Sequence, residues 1–225
     1  MRRTMFLSLT ALLGLATLAG TAAADTQLAG GLLLGYSGGP GLQLNGRVAH
    51  FAEALPLGAR LGIGYTSVDP GTPLDARRIF INDATNGTPE EKGWFWDFRF
   101  DMIYTLSSSY AREITVYGGP RYALFTGNFN FIGGNEDFDI TSRQWGFGLG
   151  MQGDFAMSSR TDFVISGGFD WFANSKLEGH DTVYAPDGET VNGRNGYTFD
   201  DADEAVNQPK IELQLMLGIQ RRFGG

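Results

Sequence analysis

From Trp94 to Leu106 every even position is apolar or aromatic. Trp94, Trp96, Phe98, Phe100, Met102, Tyr104 and Leu106 take the even positions, while Asp97, Arg99, Asp101 and Thr105 fall on odd ones. A period of two places an aromatic and aliphatic stripe on one face of a strand and charges on the other. A helical period would set Trp94, Asp97, Phe98 and Asp101 side by side and mix the two classes. The run is about thirteen residues, against about five or six for most soluble strands, and is long enough to cross a bilayer at a tilt. In a soluble sheet the apolar face would meet a core; in a membrane barrel it meets lipid and the charges point into the lumen.

The same alternation recurs along the chain. A first strand from about Gln27 to Tyr36 carries Leu28, Leu32, Leu34 and Tyr36 on one face and ends in the turn Ser37 to Gly41. A second sets Leu42, Leu44, Gly46 and Val48 against Gln43, Asn45 and Arg47, and Glu53 to Pro56 turns into a third with Leu57, Ala59, Leu61, Ile63 and Tyr65 outward. The long stretch Pro70 to Gly93, rich in Gly, Pro, Asp and Asn, reads as a loop before the Trp94 strand. A fifth strand places Ile114, Val116, Tyr122 and Leu124 opposite Thr115, Tyr117 and Arg121, with Pro120 requiring a bulge or a position whose missing N–H faces no partner. Thr126 to Ile140 is taken as a second long loop. The sixth strand runs outward through Trp145, Phe147, Leu149, Met151 and Phe155, and the seventh through Phe163, Ile165, Phe169 and Trp171. The longest connection, about Ala173 to Pro209, carries a hairpin pattern of its own around Pro186-Asp187-Gly188, and a last strand runs from Ile211 to Phe223.

The connections sort by parity. Those after strands two, four and six are short, and those after three, five and seven are long; only the first odd one is a tight turn. In an up-and-down barrel these two classes fall on opposite rims. The expected fold is therefore all-β: an eight-stranded antiparallel up-and-down transmembrane β-barrel.

Composition narrows the compartment. Arg2 and Arg3, an apolar run from Met5 to about Leu18 and the small residues Ala22 to Ala24 form a secretory signal peptide over 1–24, leaving a barrel domain over 25–225. The chain has no cysteine, which removes lipoprotein anchors and disulfide frameworks from consideration. Its net charge of −8, more negative still without the leader's two arginines, argues against nucleic acid as a partner. The 33 glycines and 13% aromatic content fit strands that bend around a small barrel with interfacial girdles.

The polar faces gather Arg47, Arg60, Arg99, Arg121, Lys210 and Arg222 with Asp97, Asp101, Asp154, Asp162, Asp170 and Glu212. An eight-stranded barrel is about wide enough for side chains to fill, so these groups are expected to pair as a lumen network that plugs it; a rearranging network would instead make a narrow pore. The longest loop is acidic, with Asp200, Asp201, Asp203 and Glu204 clustered, but it lacks the ligand ladder of a calcium loop and is read as solvated, with no metal assigned. Arg77 to Ile81, basic and apolar, is expected to fold over the barrel mouth. Neither His50 nor His180 has a serine or paired carboxylate at a diagnostic spacing, so no catalytic residue and no cofactor is assigned.

With its signal peptide, eight strands, parity of connections and terminal strand Leu215-Met216-Leu217-Gly218-Ile219-Gln220-Arg221-Arg222-Phe223, the chain resembles the small eight-stranded outer-membrane barrels of the OmpA/OmpX-like group. It departs from them in running on through Gly224-Gly225 and in placing Arg221 on the lipid side. The resemblance implies export to the cell outer membrane of a Gram-negative envelope, with outer-membrane lipid, lipopolysaccharide and the barrel assembly machinery as partners. The expected role is structural, or surface interaction with an extracellular ligand through the long loops. A small channel for ions or solutes is the alternative, and a lipid-modifying barrel enzyme a third class.

Overall fold

The computed structural model describes residues 27–49 and 57–223. The expected leader, His50, the turn Glu53 to Pro56 and Gly224-Gly225 lie outside the described residues. Eight strands form the barrel: β1 (Gln27–Ser37), β2 (Pro40–Ala49), β3 (Leu57–Val68), β4 (Thr88–Leu106), β5 (Glu113–Ile132), β6 (Asp137–Ala156), β7 (Thr161–Phe172) and β10 (Ile211–Phe223). Each pairs antiparallel with its neighbours in chain order, and β10 returns to β1 with Leu28 opposite Phe223, which closes the ring and leaves it no edge. Between the barrel strands lie α1 (Pro73–Phe80), the short hairpin β8 (Leu177–Gly179) and β9 (Thr182–Tyr184), and α2 (Phe199–Ala205).

The alternation around Trp94 resolves as expected. Trp96, Phe98 and Phe100 are 43%, 44% and 47% exposed, while Asp97 and Asp101 are completely buried. Leu32, Leu44, Trp145, Phe147, Phe169, Leu215 and Ile219 continue the outward band around the ring. An apolar exterior around a charged interior is the inverse of a water-soluble barrel and suits hydrocarbon. One end of the band is edged by aromatic rings in contact: Tyr65 with Trp96 at 5.0 Å and Tyr122 with Trp145 at 4.9 Å between centroids.

Pro120 introduces no bulge. Pairing of β5 with β4 lapses only opposite Phe100 and Asp101 and resumes in the same register at Met102↔Gly118, while Pro120 keeps its pairing with Phe147 on β6. The missing N–H thus coincides with a gap in one ladder.

Thr126 to Ile140 is not a long loop. β5 and β6 continue through it, Asn128 opposite Asp139 and Phe129 opposite Phe138, and reverse only around Gly133, whose φ of 77° suits glycine. Beyond the band the meaning of the alternation inverts: Asn128, Asn130, Asp137 and Asp139 face outward and Phe129, Phe131, Phe138 and Ile140 are buried inward. Out there water lies outside the sheet, so the apolar side chains turn in. The hairpin expected in the longest connection also differs. β9 pairs mainly with β8, and only Val183 and Val191 bridge across Pro186 to Gly188.

Candidate functional site

The inward groups form two clusters of ion pairs along the lumen, joined through Gln152. Nearest the mouth Arg99 pairs with Asp97 and, at 3.0 Å, with Asp170. Asp170 also holds Arg121 Nε at 2.8 Å, and Arg121 Nη1 reaches Asp101 at 2.7 Å. Asp101 accepts from Arg60 through Nε at 3.0 Å and Nη2 at 2.7 Å. Arg60, lying over the Tyr117 ring at 3.8 Å, donates to Gln152 at 3.1 Å, and Gln152 donates to Asp154 at 2.8 Å. Asp154 then meets Arg47 at 2.9 Å, Arg47 meets Glu113 at 2.5 Å, and Arg222 joins Glu113 at 3.1 Å and Asp162 at 2.6 Å at the end bearing the short turns.

Two glycines show how the wall accommodates these groups. A Cβ on Gly148 would lie 2.0 Å from Asp170 Oδ1 and 2.4 Å from Arg121, and one on Gly64 would lie 2.2 Å from Asp97. The space freed by glycine is occupied by ion pairs. Buried charges need such partners, since removing one member of a pair costs about 3–5 kcal/mol.

Arg47, Arg60, Asp97, Arg99, Asp101, Arg121, Asp154 and Asp170 are thus brought together, along with Asp162 and Arg222. Lys210 is not: it lies at the mouth, paired with Asp203 at 2.8 Å. Glu212 points inward but makes no salt bridge among the described residues. Glu113, Arg112, which pairs with Asp162 at 3.0 Å, and Gln220 join the network beyond the residues expected there, while Gln152 and Gln214 join it from the inward polar faces on which their parity puts them. Glu113 has the same polar parity on β5 as Thr115 and Arg121, the one feature by which the sequence could have flagged it.

Above the ionic layer, at the mouth, lies a hydrophobic core. Phe95, Phe125 and Phe172 lie just beyond Asp97 and Asp170, with Phe95 and Phe172 edge to face at 6.4 Å. Ile79 and Phe80 of α1, Phe129, Phe131, Phe138, Ile140, Tyr184 and the α2 residues Phe199, Ala202 and Ala205 complete one cluster with them. The run Arg77 to Ile81 does fold over the barrel mouth. Thr72 and Pro73 start α1, and its buried side carries Ala76, Arg77, Ile79 and Phe80.

Of the clustered acidic residues of the longest loop, Asp201 serves the helix that contains it. Thr198 and Asp201 cap α2 reciprocally, with Thr198 N donating to Asp201 at 2.7 Å, and these bonds hold the Asp201 carboxyl below its usual range. Asp203 takes Lys210 and, at 2.7 Å, Gln208, while Asp200 and Glu204 are solvated. Arg194 donates to Asp83 at 2.6 Å, which lowers the Asp83 pKa and ties the longest connection to the segment after α1. His180 contacts the exposed Asp181 at 2.8 Å, and no serine hydrogen bonds to its ring among the described residues.

No family model matches the chain, and no curated protein matches it. Among solved structures it is similar to a major outer membrane protein from Thermus thermophilus, at a TM-score of 0.72 and 25% identity over 89% of this chain and 100% of that one. Neisserial surface protein A (NspA) aligns at a TM-score of 0.36 and 14% identity, over 88% of this chain and 96% of that one.

Proposed function

We propose that this small outer-membrane barrel is a non-conducting protein with a structural or surface-interaction role, presenting a folded cap on the side of the membrane where its long connections meet. The observation that carries this reading is the pair of ion-pair clusters, Asp97 to Arg60 and Asp154 to Asp162, joined through Gln152, with the Phe95, Phe125 and Phe172 layer packed above them. A water-filled conduit needs a continuous polar path. Here each lumen arginine lies within 4 Å of a carboxylate, and the path ends against packed aromatic rings.

The cap supports the second half of the reading. Its inner side is a hydrophobic core, so its connections hold a defined shape, and its outer side carries Asn128, Asn130, Asp137, Asp139, Asp200 and Glu204. A rigid polar surface of this kind suits contact with envelope polysaccharide or another protein, because little ordering entropy is lost on binding.

Refolded protein in planar bilayers tests the reading. The expected record is a flat baseline at about 100 mV in about 1 M KCl, as for a lumen without a water path. Discrete, reproducible conductance steps from the folded protein would replace the closed-barrel reading with that of a small channel.

A further inference from the structure

Arg221 stands where the outward band is otherwise apolar. On β10 every outward position from Ile211 to Ile219 is apolar, and so is Phe223, but the exposed residue between Ile219 and Phe223 is an arginine. Arg221 makes no salt bridge among the described residues, whereas its neighbour Arg222, facing the lumen, holds Glu113 and Asp162. It lies at the rim bearing the short turns, paired with Thr161, the first residue of β7, directly after the turn Met157 to Arg160. A cation on the lipid face is costly within the hydrocarbon and tolerated at its edge, where the side chain reaches the headgroups.

The surface on either side of Arg221 has a defined shape. Toward β7 its cross-strand neighbour Thr161 shares its outward parity, and the Thr161 hydroxyl makes no hydrogen bond among the described residues. Toward β1 the neighbour is Gly30, which is itself opposite Gly46 on β2. A Cβ on Gly46 would meet nothing within 4 Å, and one on Gly30 would lie 3.5 Å from the Phe223 ring. Two glycines side by side therefore leave a trough about 10 Å wide, two strand spacings, in the lipid-facing surface. Phe223 walls it at the rim, and Leu61, opposite Gly46 on β3, walls its far side.

A guanidinium presents its donors in a planar fork that fits the two free oxygens of a phosphodiester, and a hydroxyl beside it can donate to the same group. An apolar trough that starts at the fork takes a hydrocarbon chain carried by that phosphate. Such an occupant is at hand, because this face of the barrel lies against lipid. Arg160, whose carbonyl accepts from Arg222 N at 2.8 Å, is exposed at the same rim with no ion pair among the described residues. Its charge disfavours a headgroup that carries a cation of its own. We propose that Arg221, Thr161 and the trough over Gly30 and Gly46 bind one anionic phospholipid from the leaflet on the short-turn side. The site lies outside the lumen, so the inference stands whether or not the barrel conducts.

The test is native mass spectrometry of the full chain, refolded in detergent and titrated with phosphatidylglycerol or phosphatidylcholine of matched acyl chains. One phosphatidylglycerol per barrel is expected, bound about ten-fold more tightly than phosphatidylcholine. Arg221→Gln should weaken it about ten-fold, and so should Gly46→Leu, which fills the trough and leaves the charge. Lys92→Gln, at an exposed cation beyond the other end of the band, should bind as the wild type does. Excess inorganic phosphate should leave the lipid in place; displacement by phosphate alone would show a site for the free ion and overturn the proposal. Folding is checked by the gel-mobility shift between heated and unheated barrel; if Arg221→Gln does not fold, Gly46→Leu is read in its place. Equal retention of the two lipids, or wild-type retention by the folded variant, also overturns the proposal.

Discussion

The Arg77 guanidinium, fully buried on α1, is held by the Glu136 carboxylate at the tip of the β5–β6 hairpin. Arg77 also donates to Asn86 O at 2.7 Å and Asn86 Oδ1 at 2.8 Å and lies over the Phe131 ring at 4.4 Å, while Glu136 takes a second bond from Asn82 at 2.8 Å. A charge so enclosed is stable only while its partner is in place. The pair therefore fixes the segment after β3 to the hairpin and sets how the cap is seated.

Arg77→Met is expected to destabilise the cap by about 3–5 kcal/mol, because it strands Glu136 against a hydrophobic core. Glu136→Leu on its own should cost a similar amount, and the double variant should recover much of the loss, since neither charge is then left unpaired. Hydrogen exchange read residue by residue would show faster exchange in α1 and the β5–β6 tip, with the barrel strands unchanged. A double variant as unstable as the two single losses added together would mean that the pair does not act as a unit.

The barrel and its sidedness were legible in the sequence because an outward apolar face recurs on Trp94 to Leu106 and the other spanning strands, with the charged groups set inward beside a few buried apolar ones such as Leu33, Ile103, Val164 and Met216. The same pattern concealed the cap. Phe129, Phe131, Phe138 and Ile140 alternate as regularly as Phe98 and Phe100, but beyond the hydrocarbon the solvent changes sides, and a period-two run with Asn and Asp between the aromatics reads as polar loop. Within the lumen, parity identified most of the charged groups but not their geometry. Lys210 shares the inward parity of Glu212, yet Asp203, brought close by α2, takes it out of the barrel. No local pattern encodes a contact set by the placement of a preceding helix.

The inversion makes opposite demands on residues of like parity. Phe100→Arg, on the outward face of β4, should cost about 2–4 kcal/mol, the penalty for a cation in mid-membrane. Asn128→Arg, outward on β5 but beyond the band, should change stability by no more than about 0.5 kcal/mol. Phe129→Ala, its inward neighbour, should cost about 3–5 kcal/mol through the cavity it leaves. Urea unfolding from lipid vesicles, followed by tryptophan fluorescence, separates the three. Equal costs for Phe100→Arg and Asn128→Arg would place the β5–β6 tip within the hydrocarbon and refute the inversion.

The cap should also respond to acid. The hydrogen bond from Arg194 lowers the Asp83 pKa, and those from Thr198 lower that of Asp201. A carboxyl whose folded pKa lies below its unfolded value of 3.8 stabilises the fold fully above that value. That stability is lost as pH falls through the depressed folded value. Both groups are solvent-exposed, so each contribution is small and shrinks further with salt. Amide exchange in α2 and around Arg194 should therefore stay flat from neutral pH to about 4 and rise below that, in the acid limb where these carboxylates protonate. Asp83→Asn should remove the Arg194 share of the rise and leave that of α2, while Thr198→Ala should loosen α2 at every pH by about 0.5–2 kcal/mol, the usual cost of a lost N-cap. A cap that loosens between about pH 5 and 8, where carboxylates stay charged, and is indifferent to Asp83→Asn would show that other groups hold it.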